Sequence, residues 1–454
     1  MMDFGRTIRM QQVIEYITGS IYQKLLDKVY LLVGIVFLVS LSCSSTVNMI
    51  PGSVPIPQVN SLLLLPGQRS IPDNIRSVQF FNSSQANSPL VTAQLKSKDR
   101  LILRFDELNE TNGMFRIHFS HRNSDWTKSN LPLTWFMGSP NERIVQGGIR
   151  NQSNSIPFHT YDIQFLLQDL EFLVSGFYFI HVSDYITGIE LFSLPFALTE
   201  QRGTLELDGK TSYNNGNLGT AVDRIFAEFS FPEFVDMPVF DLNFDVVQDG
   251  FLRKTTRAIG KDFSEGKVAK FYLEESQSYL ANSRFYKINL NSFGLSNQEI
   301  SEYKESASLP QITLKEDFLS FSDSPYILQS MLGNPSKSIT ARYALVNFRF
   351  NPMGAGPNYD DDFFVVGDFN QWSETKQHKM RWNPELRLFE ATILLKQGSY
   401  RYTYATLNGT QLNIVELGSS RTKENQWYTG ILFYRDPNLQ YDRILFIGKV
   451  QLLP

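Results

Sequence analysis

The lone thiol of the chain stands where a lipid could be attached to it. Cys43 ends the uncharged apolar run Val29–Cys43. This run fits the apolar region of a secretory signal, about 7–15 residues, better than a membrane-spanning helix of about 20. Ser40-Leu41-Ser42-Cys43 is typical of a bacterial lipobox, although Ser40 stands where Leu is usual. We predict that residues 1–43 are a signal and that Cys43 is lipidated; an uncleaved anchor and a plain cleaved signal are the alternatives.

Histidine and aspartate side chains do not form a metal site of recognised spacing. The five histidines are His118, His121, His159, His181 and His378. His118 and His121 lie three residues apart in a predicted strand, so their imidazoles point to opposite faces. A structural zinc site is not expected without a second cysteine, and Asp360-Asp361-Asp362 lacks the alternating ligands of a calcium loop. We predict no metal and no cofactor.

Motifs of enzyme active sites are also missing from the sequence. There is no Gly-x-Ser-x-Gly turn, no phosphate-binding glycine-rich loop and no His-Glu-x-x-His helix. Isolated pairs of carboxylates occur, but a chain with 46 acidic residues contains them by chance. The sequence therefore predicts a protein that is not an enzyme and has no small-molecule substrate.

A first tryptophan cluster could contact a partner protein. It comprises the segment His121–Trp126 together with Leu131 and Trp135. An indole in a loop that leaves a strand can cap a sandwich, with its N–H bonded inside, or it can serve as an aromatic anchor for a partner. Both interpretations stay open at this point. The candidate interface residues are Arg122, Asp125, Trp126 and Trp135.

A second tryptophan cluster, in the C-terminal part, could bind sugar. Gly367-Asp368-Phe369-Asn370-Gln371-Trp372 is followed by Trp382 and by the strand Tyr400–Tyr404. The order resembles the early-set immunoglobulin-like fold of starch- and glycogen-binding modules. The resemblance implies that Trp372 and Trp382 could stack on sugar rings. The alternative is that Phe369 and Trp372 pack the sandwich and the Gly-Asp turn shapes a hairpin.

Strand patterns cover most of the chain after residue 73. Met114–His121 alternates Phe115, Ile117 and Phe119 on one face with polar residues on the other. Similar patterns recur at short intervals, separated by turn residues. The 36 Phe and 20 Tyr favour strands and supply a large buried area. With one cysteine, no internal disulfide can form, so each domain depends on its own core.

These patterns predict an all-β protein with three consecutive immunoglobulin-like β-sandwich domains. No long amphipathic helix is expected in the mature chain. The proline-containing, uncharged segment after Cys43 is typical of a tether. An Asp249-Gly250 hairpin is expected in the second domain. The predicted divisions are a tether at 44–73, a first sandwich at 74–200, a second at 201–308, a linker at 309–338 and a C-terminal sandwich at 339–454.

The charge balance argues against nucleic acid as a partner. The whole chain has a formal net charge of −4, and residues 1–43 carry four basic and three acidic side chains, so the mature part is near −5. Binding to nucleic acid depends on basic patches that displace counterions. We therefore expect no nucleic-acid partner.

The ordered set of short segments resembles a family of Bacteroidota proteins associated with the plug of the type IX secretion system. The resemblance covers about residues 74–450, and the family usually has a thiol near position 122, where this chain has Arg122. The segments that carry it are Leu103–Leu108, Phe119–Trp126, Asn141–Ile144, Gly176–Tyr178, Asn383–Glu385 and Glu390–Tyr400.

The resemblance implies a binding function. A plug of this family closes the periplasmic mouth of a large outer-membrane translocon barrel through protein–protein contacts. Ser44-Ser45-Thr46-Val47 contains no acidic residue, and acidic clusters at this place tend to mark surface lipoproteins in Bacteroidota. We therefore expect an outer-membrane lipoprotein that faces the periplasm. The competing hypothesis is a periplasmic or surface glycan-binding lipoprotein that uses its C-terminal domain.

Overall fold

The computed structural model describes residues 64–452 with several gaps. Not described within this range are 87, 89, 154–155, 214–220, 281–284, 307–308, 319–333, 353–361, 374, 409–410 and 415–425. The predicted signal, Cys43, Asp360 and Asp361 thus lie outside the described residues. Among the described residues, no helix is long and apolar enough to cross a membrane.

Strands dominate the described residues. Those in 75–199 are β1 (Ile75–Asn82), β2 (Thr92–Gln94), β3 (Arg100–Glu107), β4 (Met114–Arg122), β5 (Glu142–Gln146), β6 (Ile149–Arg150), β7 (His159–Leu166), β8 (Gly176–Asp184) and β9 (Glu190–Thr199). Those in 204–280 are β10 (Thr204–Tyr213), β11 (Ala221–Ser230), β12 (Leu242–Gln248), β13 (Thr255–Arg257), β14 (Gly260–Glu265), β15 (Val268–Tyr272) and β16 (Tyr279–Leu280).

The remaining strands follow without a long helix between them. They are β17 (Tyr286–Asn289), β18 (Ile300–Lys304), β19 (Gln311–Leu314), β20 (Asp317–Phe318), β21 (Asn334–Pro335), β22 (Tyr343–Asn351), β23 (Asp362–Gly367), β24 (Arg381–Asn383), β25 (Leu388–Lys396), β26 (Gly398–Asn408), β27 (Gln411–Ile414), β28 (Gln426–Arg435) and β29 (Asp442–Leu452). The short helices are Ser83–Gln85, Leu133–Phe136, Leu167–Asp169, Pro238–Asp241, Leu252–Lys254, Glu275–Gln277 and Lys376–His378. The all-β prediction is confirmed.

The first sandwich consists of β1–β9. One sheet has the order β1-β3-β7-β6 and the facing sheet the order β2-β9-β8-β4-β5. The alternation predicted for β4 places Phe115, Ile117 and Phe119 in the core between the sheets. Phe105 of β3 meets Phe115 edge to face, with ring centroids 5.1 Å apart. Each such buried side chain contributes about 1.5–3 kcal/mol of apolar transfer free energy.

The second sandwich is built from two separate parts of the chain. One sheet has the order β10-β11-β15-β14, and the other has the order β13-β12-β28-β29. Leu242–Gln248 pairs antiparallel with Tyr428–Tyr434. The prediction of consecutive domains, with a C-terminal sandwich at 339–454, is therefore wrong for β28 and β29. Alternation along a strand shows that it has a buried face, but it does not show which distant strand it will pair with.

The third sandwich, β17–β27, is thus inserted into the second. One sheet centres on β26, which pairs with β17, β21, β23 and β27, and the other has the order β18-β19-β22-β25-β24. Strands β17 and β18 were assigned to the predicted second domain, and β19 and β20 to the predicted linker. Both assignments need correction, because β19 and β20 pair in parallel with β22. The prolines and serines nearby gave a misleading signal.

A turn forms at Asp249-Gly250, but the return strand begins at Thr255 and not, as predicted, at Phe251-Leu252. Both residues have positive φ, 49° and 79°, as such turns require. After a short 3-10 helix, β13 returns along β12 in the register Val247↔Thr255 and Asp245↔Arg257. The hairpin tip carries Phe251 toward the third sandwich, where it contacts Trp372.

The same corner motif closes the first and third sandwiches. Tyr178 donates its hydroxyl to the carbonyl of Val174 at 2.7 Å, and Tyr400 donates to the carbonyl of Lys396 at 2.7 Å. In each case the tyrosine follows a glycine by two residues, in Gly176–Tyr178 and Gly398–Tyr400. A buried tyrosine bonded to the backbone a few residues upstream is typical of immunoglobulin-like sandwiches.

Candidate functional site

The described residues fall within one compact unit, Val59–Pro454. The sandwiches pack against one another, and most of the residues singled out from the sequence lie where they meet. These contacts form an apolar, an ionic and an aromatic junction. Other faces of the sandwiches remain exposed.

Trp126 lies inside the protein. A tight loop after β4, closed by Asn123 N–H to Thr127 C=O at 2.9 Å, gives Trp126 a φ of +68°. The indole folds back on β8 and stacks on Phe177 and Phe179, with centroids 4.2 and 5.2 Å away. Only 4% of Trp126 is exposed. The side chain is therefore unavailable to a partner, and the capping interpretation describes its role.

The apolar junction joins the first and second sandwiches around this indole. Phe177 meets Phe433 edge to face at 5.4 Å. Its buried residues are Leu65, Leu90, Trp126, Phe177, Phe179, Ala197, Val247, Ile431, Phe433 and Ile444. Leu65 belongs to this junction and Leu64 is also buried, so residues 64–65 of the predicted tether dock on the body.

Arg122 supports the same junction. The residue is 8% exposed, and its guanidinium carbon lies 4.6 Å from the centroid of the Phe179 ring. Burial lowers the pKa of Arg122. The backbone of Gly67 (φ +76°) passes so close that an added Cβ would lie 3.0 Å from Nη1 of Arg122. Arg122 is thus covered by the docked N-terminal segment.

A charged rim borders the apolar junction. Arg443 forms a bidentate pair with Glu200, at 2.8 and 2.7 Å. Ser124 donates its backbone N–H to Asp442 at 3.0 Å. Such charge-assisted bonds are stronger than neutral ones and fix the orientation of the two sandwiches.

The ionic junction joins the first and third sandwiches. Lys396 Nζ lies 2.8 Å from Asp106 Oδ2, and the two side chains are 3% and 1% exposed. Asp106 also accepts hydroxyl bonds from Tyr343 at 2.8 Å and from Thr160 at 2.6 Å. Lys396 Nζ lies 4.6 Å from the centroid of the Phe158 ring. The carboxylate is therefore fully compensated, as a buried charge requires.

The aromatic junction joins the second and third sandwiches at Trp372. The half-buried indole meets Phe251 at 5.0 Å and Phe285 at 4.8 Å. Arg401 lies 5.4 Å from its centroid and pairs with Asp368 at 2.9 Å. The Gly-Asp turn thus positions Trp372 for contacts within the protein.

The two predicted sugar-stacking residues do not share a platform. Trp372 follows β23, which belongs to the sheet of β26. Trp382 lies in β24, which belongs to the opposite sheet of the third sandwich. Trp382 is 39% exposed and leans on Phe389 at 4.9 Å. The arrangement therefore gives no support to a two-ring sugar site.

Trp135 and Asp125 are the predicted interface residues that reach solvent. Trp135 is 52% exposed on the one-turn helix Leu133–Phe136, whereas Phe136 of the same turn is buried in the core. Asp125 is exposed and caps Thr127, whose N–H lies 2.9 Å from Oδ1. Of the predicted set, then, Arg122 and Trp126 are internal and Asp125 and Trp135 are external.

A cavity of about 400 Å³ opens where all three sandwiches meet. Its lining includes Phe81, Arg104, Leu252 and Gln371. Arg104 is already engaged: its Nε bonds Asp162 at 2.9 Å, and Nη1 bonds Gln79 at 3.2 Å. Arg104 and Asp368, two of the charged residues that line the cavity, are therefore satisfied within the protein, Asp368 by Arg401 at 2.9 Å.

His118 and His121 point to opposite faces of β4, as the strand period predicts. His121 lies inward, and burial lowers its pKa to about 4. Its Nε2 lies 3.2 Å from the carbonyl of Ser175. An added Cβ on Gly176 (φ +143°) would lie 2.3 Å from that nitrogen, so only glycine fits there.

On the outer face of the sheet that contains β4 and β8, Ser120, His181 and Glu190 are hydrogen-bonded in a row that the sequence did not predict. His181 Nε2 lies 2.7 Å from Ser120 Oγ, and Nδ1 lies 2.8 Å from Glu190 Oε1. His118 stacks on His181 at 4.7 Å, and burial together with the neighbouring imidazole lowers the pKa of His118. Ser-His-Glu in this order is the connectivity of a nucleophilic triad. Here Ser120 lies within a regular strand, in register with Phe179.

No metal site accompanies these groups in the described part of the chain. Among those residues, no three or more His, Cys, Asp or Glu side chains lie close enough to hold an ion. Asp362, the described member of the acidic triplet, pairs with Lys379 at 2.6 Å.

Sequence reasoning missed the ionic junction. Asp106 and Lys396 lie 290 residues apart, and nothing local shows that they pair. Both nevertheless belong to segments that carry the resemblance, Leu103–Leu108 and Glu390–Tyr400. A charged residue on an otherwise apolar strand was the available signal, and it was not interpreted as a buried partner.

Fold and junctions define an all-β protein of β-sandwiches packed into one body. Residues 75–199 match the sequence model described as type 9 secretion system plug protein 1st domain. The first sandwich thus carries the first domain of type IX secretion system plug proteins, and this match supports a role in type IX secretion and a location in the cell envelope.

A solved structure shares the fold. The crystal structure of a hypothetical protein from Parabacteroides merdae ATCC 43184 at 2.30 Å resolution has a TM-score of 0.75 and 18% sequence identity, covering 85% of this chain and 99% of that chain. At this identity the likeness concerns the fold alone. No curated protein matches the chain significantly.

Proposed function

We propose that this protein is a non-enzymatic accessory of type IX secretion that closes the periplasmic opening of the outer-membrane translocon barrel. The observation that carries the proposal is the family match over residues 75–199. Closing a wide barrel requires a body that resists deformation and a surface that can be released, but it requires no bond chemistry.

The packing of the sandwiches is consistent with such a body. The apolar, ionic and aromatic junctions connect each sandwich to both of the others. A buried ion pair and stacked rings have one preferred geometry, so the sandwiches are held in a single arrangement. A rigid surface binds with less loss of conformational entropy than a mobile one.

The contact with the barrel involves exposed residues of the first sandwich. Trp135 and Asp125 remain accessible there, and Arg122 and Trp126 hold the loop from beneath. Aromatic side chains at the centre of an interface supply much of its binding energy. Arg122 and Trp126 therefore act as positioning residues in this proposal.

Affinity purification of the full chain from native envelopes tests the function. We expect the translocon barrel to co-purify, and we expect deletion of the gene to make the outer membrane permeable to large antibiotics. Absence of the barrel from the purified fraction, together with unchanged permeability, would contradict the proposal.

Attachment to the outer membrane through Cys43 is a separate part of the proposal. Metabolic labelling with a fatty-acid probe should mark the wild-type chain and not the Cys43→Ser variant. Protease added to intact cells should leave the protein uncut if it faces the periplasm. Label on the variant contradicts lipidation at Cys43, and digestion in intact cells contradicts the orientation.

The triad-like order Ser120–His181–Glu190 gives the non-enzymatic proposal its sharpest test. A fluorophosphonate probe labels serine hydroxyls that a histidine activates. We expect the purified chain to remain unlabelled and Ser120→Ala to fold normally. Labelling that disappears in Ser120→Ala would assign hydrolase chemistry to this face and overturn the non-enzymatic proposal.

A further inference from the structure

Four loops of the first two sandwiches lie side by side at one end of the apolar junction. They are 131–138, 167–175, 232–241 and 436–441. Leu173 donates its backbone N–H to Phe136 C=O at 2.9 Å, which joins the first two loops. Tyr441 packs in the same core as Phe136 and lies 5.5 Å from His121. Phe136 and Tyr441 thus both pack against His121, which links loop 436–441 to the loop that carries Trp135.

The same loop 436–441 is also tied to the loop 232–241. Arg443 lies 5.0 Å from the centroid of Phe234 and pairs with Asp436 at 3.3 Å. Tyr434, at the start of the turn, meets Phe234 edge to face at 5.5 Å. The four loops are thus linked across both sandwiches, through a backbone bond and through the side chains of His121, Tyr434 and Arg443.

Exposed apolar side chains are concentrated on these loops. Phe240 is 75% exposed and Met237 57%, and Val239, Leu133, Leu173, Trp135 and Leu439 are also exposed. Isolated exposed apolar residues are normal, but a cluster of this kind marks an interaction surface. The base of loop 232–241 is nevertheless fixed, because Val235 and Leu242 are buried and Asp241 N–H bonds Met237 C=O at 2.9 Å.

The charges of the loops have a single sign. The four segments contain no Lys, Arg or His. Their acidic residues are Asp169, Glu171, Glu233, Asp236, Asp241 and Asp436. The cations beside the loops are paired with carboxylates. They are Arg435 with Asp442 at 3.1 Å, Arg443 with Glu200 and Asp436, Arg202 with Glu200 at 3.7 Å, and Lys267 with Glu233 at 3.1 Å. An apolar surface with an acidic border fits a partner with apolar pockets and a basic border. Anionic lipid headgroups would be repelled.

We propose that these loops form one docking face, the apolar-acidic face, for a protein surface with apolar pockets bordered by Lys and Arg. This inference rests on the proposed function and identifies the partner surface as the periplasmic side of the translocon barrel. Phe240 and Trp135 are the anchors, one on each sandwich. The acidic residues accelerate association and make it sensitive to salt.

The test compares full-length variants in pull-downs from native envelopes. Phe240→Ser combined with Trp135→Ser should reduce barrel recovery about tenfold or more, because interface aromatic residues commonly contribute that much. Ile186→Ser combined with Trp382→Ser, which changes exposed side chains elsewhere, should leave recovery unchanged. Asp236→Asn with Asp241→Asn should weaken the salt dependence of binding. We expect the variants to have the same Tm as the wild type, because none of the substituted side chains is buried. Equal Tm values would exclude misfolding as the cause of lost binding.

The outcomes separate this inference from the proposed function. If wild type captures the barrel and the Phe240/Trp135 variant captures it equally, the face is wrong and the function stands. If wild type captures no barrel, both fail. Binding to phosphatidylglycerol vesicles that Phe240→Ser abolishes would identify a membrane surface and overturn the protein partner.

Discussion

The first sandwich is attached to its neighbours by two junctions of opposite character. The apolar junction relies on stacked rings around Trp126, and many side chains share its energy. The ionic junction relies on one pair, Asp106 and Lys396, with the hydroxyls of Tyr343 and Thr160 around it. An apolar contact tolerates partial loss, whereas a buried charge that loses its partner keeps its full desolvation penalty. Removal of one side chain should therefore affect the free energy of unfolding differently at the two junctions.

The largest effect is expected at the ionic junction. Lys396→Ala should lower the free energy of unfolding by about 4 kcal/mol, because Asp106 stays buried without its cation. The double variant Asp106→Leu with Lys396→Met should recover most of this loss, since no charge then remains buried. Urea unfolding monitored by tryptophan fluorescence measures both. A loss below about 1 kcal/mol in Lys396→Ala would show that water compensates Asp106.

A substitution in the apolar junction should lower the free energy of unfolding by somewhat less. Trp126→Ala removes a buried indole, which costs about 3–5 kcal/mol. The left-handed φ of Trp126 is as unfavourable for Ala as for Trp, so the backbone strain does not change and the expected loss, about 3 kcal/mol, comes from the lost packing. Trp135→Ala is the matched control and should change stability by less than about 0.5 kcal/mol. Equal losses in the two variants would contradict the assignment of Trp126 to the junction.

Acid should destabilise the first sandwich through His121, which packs against Phe136, Tyr178 and Tyr441. Burial lowers the pKa of His121 to about 4, from 6.5. The unfolded chain therefore takes up a proton at higher pH than the folded chain, and stability falls as the pH drops from about 6.5 to 4. The expected loss is up to about 3 kcal/mol. His121→Gln should show a flatter pH profile of Tm over this range. Identical profiles would mean that His121 is not the titrating group.

A smaller effect is expected at the rim of the apolar junction. Arg443→Lys keeps the charge but loses the bidentate geometry to Glu200, which should cost about 1 kcal/mol. Glu200→Gln is the companion variant and should cost a similar amount. Denaturant unfolding at low and high salt measures both losses. A Lys variant as stable as wild type would show that the rim contributes charge rather than geometry.

Local sequence signals located the strands but not all of their partners. Alternation placed strands correctly at Met114–His121 and Tyr400–Tyr404, because burial of one face leaves a period of two in the sequence. The same signal could not assign β28 and β29 to the second sandwich, since strands of any sandwich share that period. For a related reason, the sequence could not show which of the predicted interface residues are buried and which are exposed. A tryptophan after a strand is compatible with burial and with exposure, and only packing distinguishes Trp126 from Trp135.

The sequence by itself determined the class of protein: alternating aromatic residues specify β-sandwiches, and residues 75–199 match the first domain of type IX secretion system plug proteins. Tertiary structure decided how the sandwiches are joined. Asp106 and Lys396, or Trp126 and Phe433, are far apart in the chain, and their contact depends on the free energy of packing rather than on any local preference. Local propensity acts over a few residues, whereas burial is shared by the whole body.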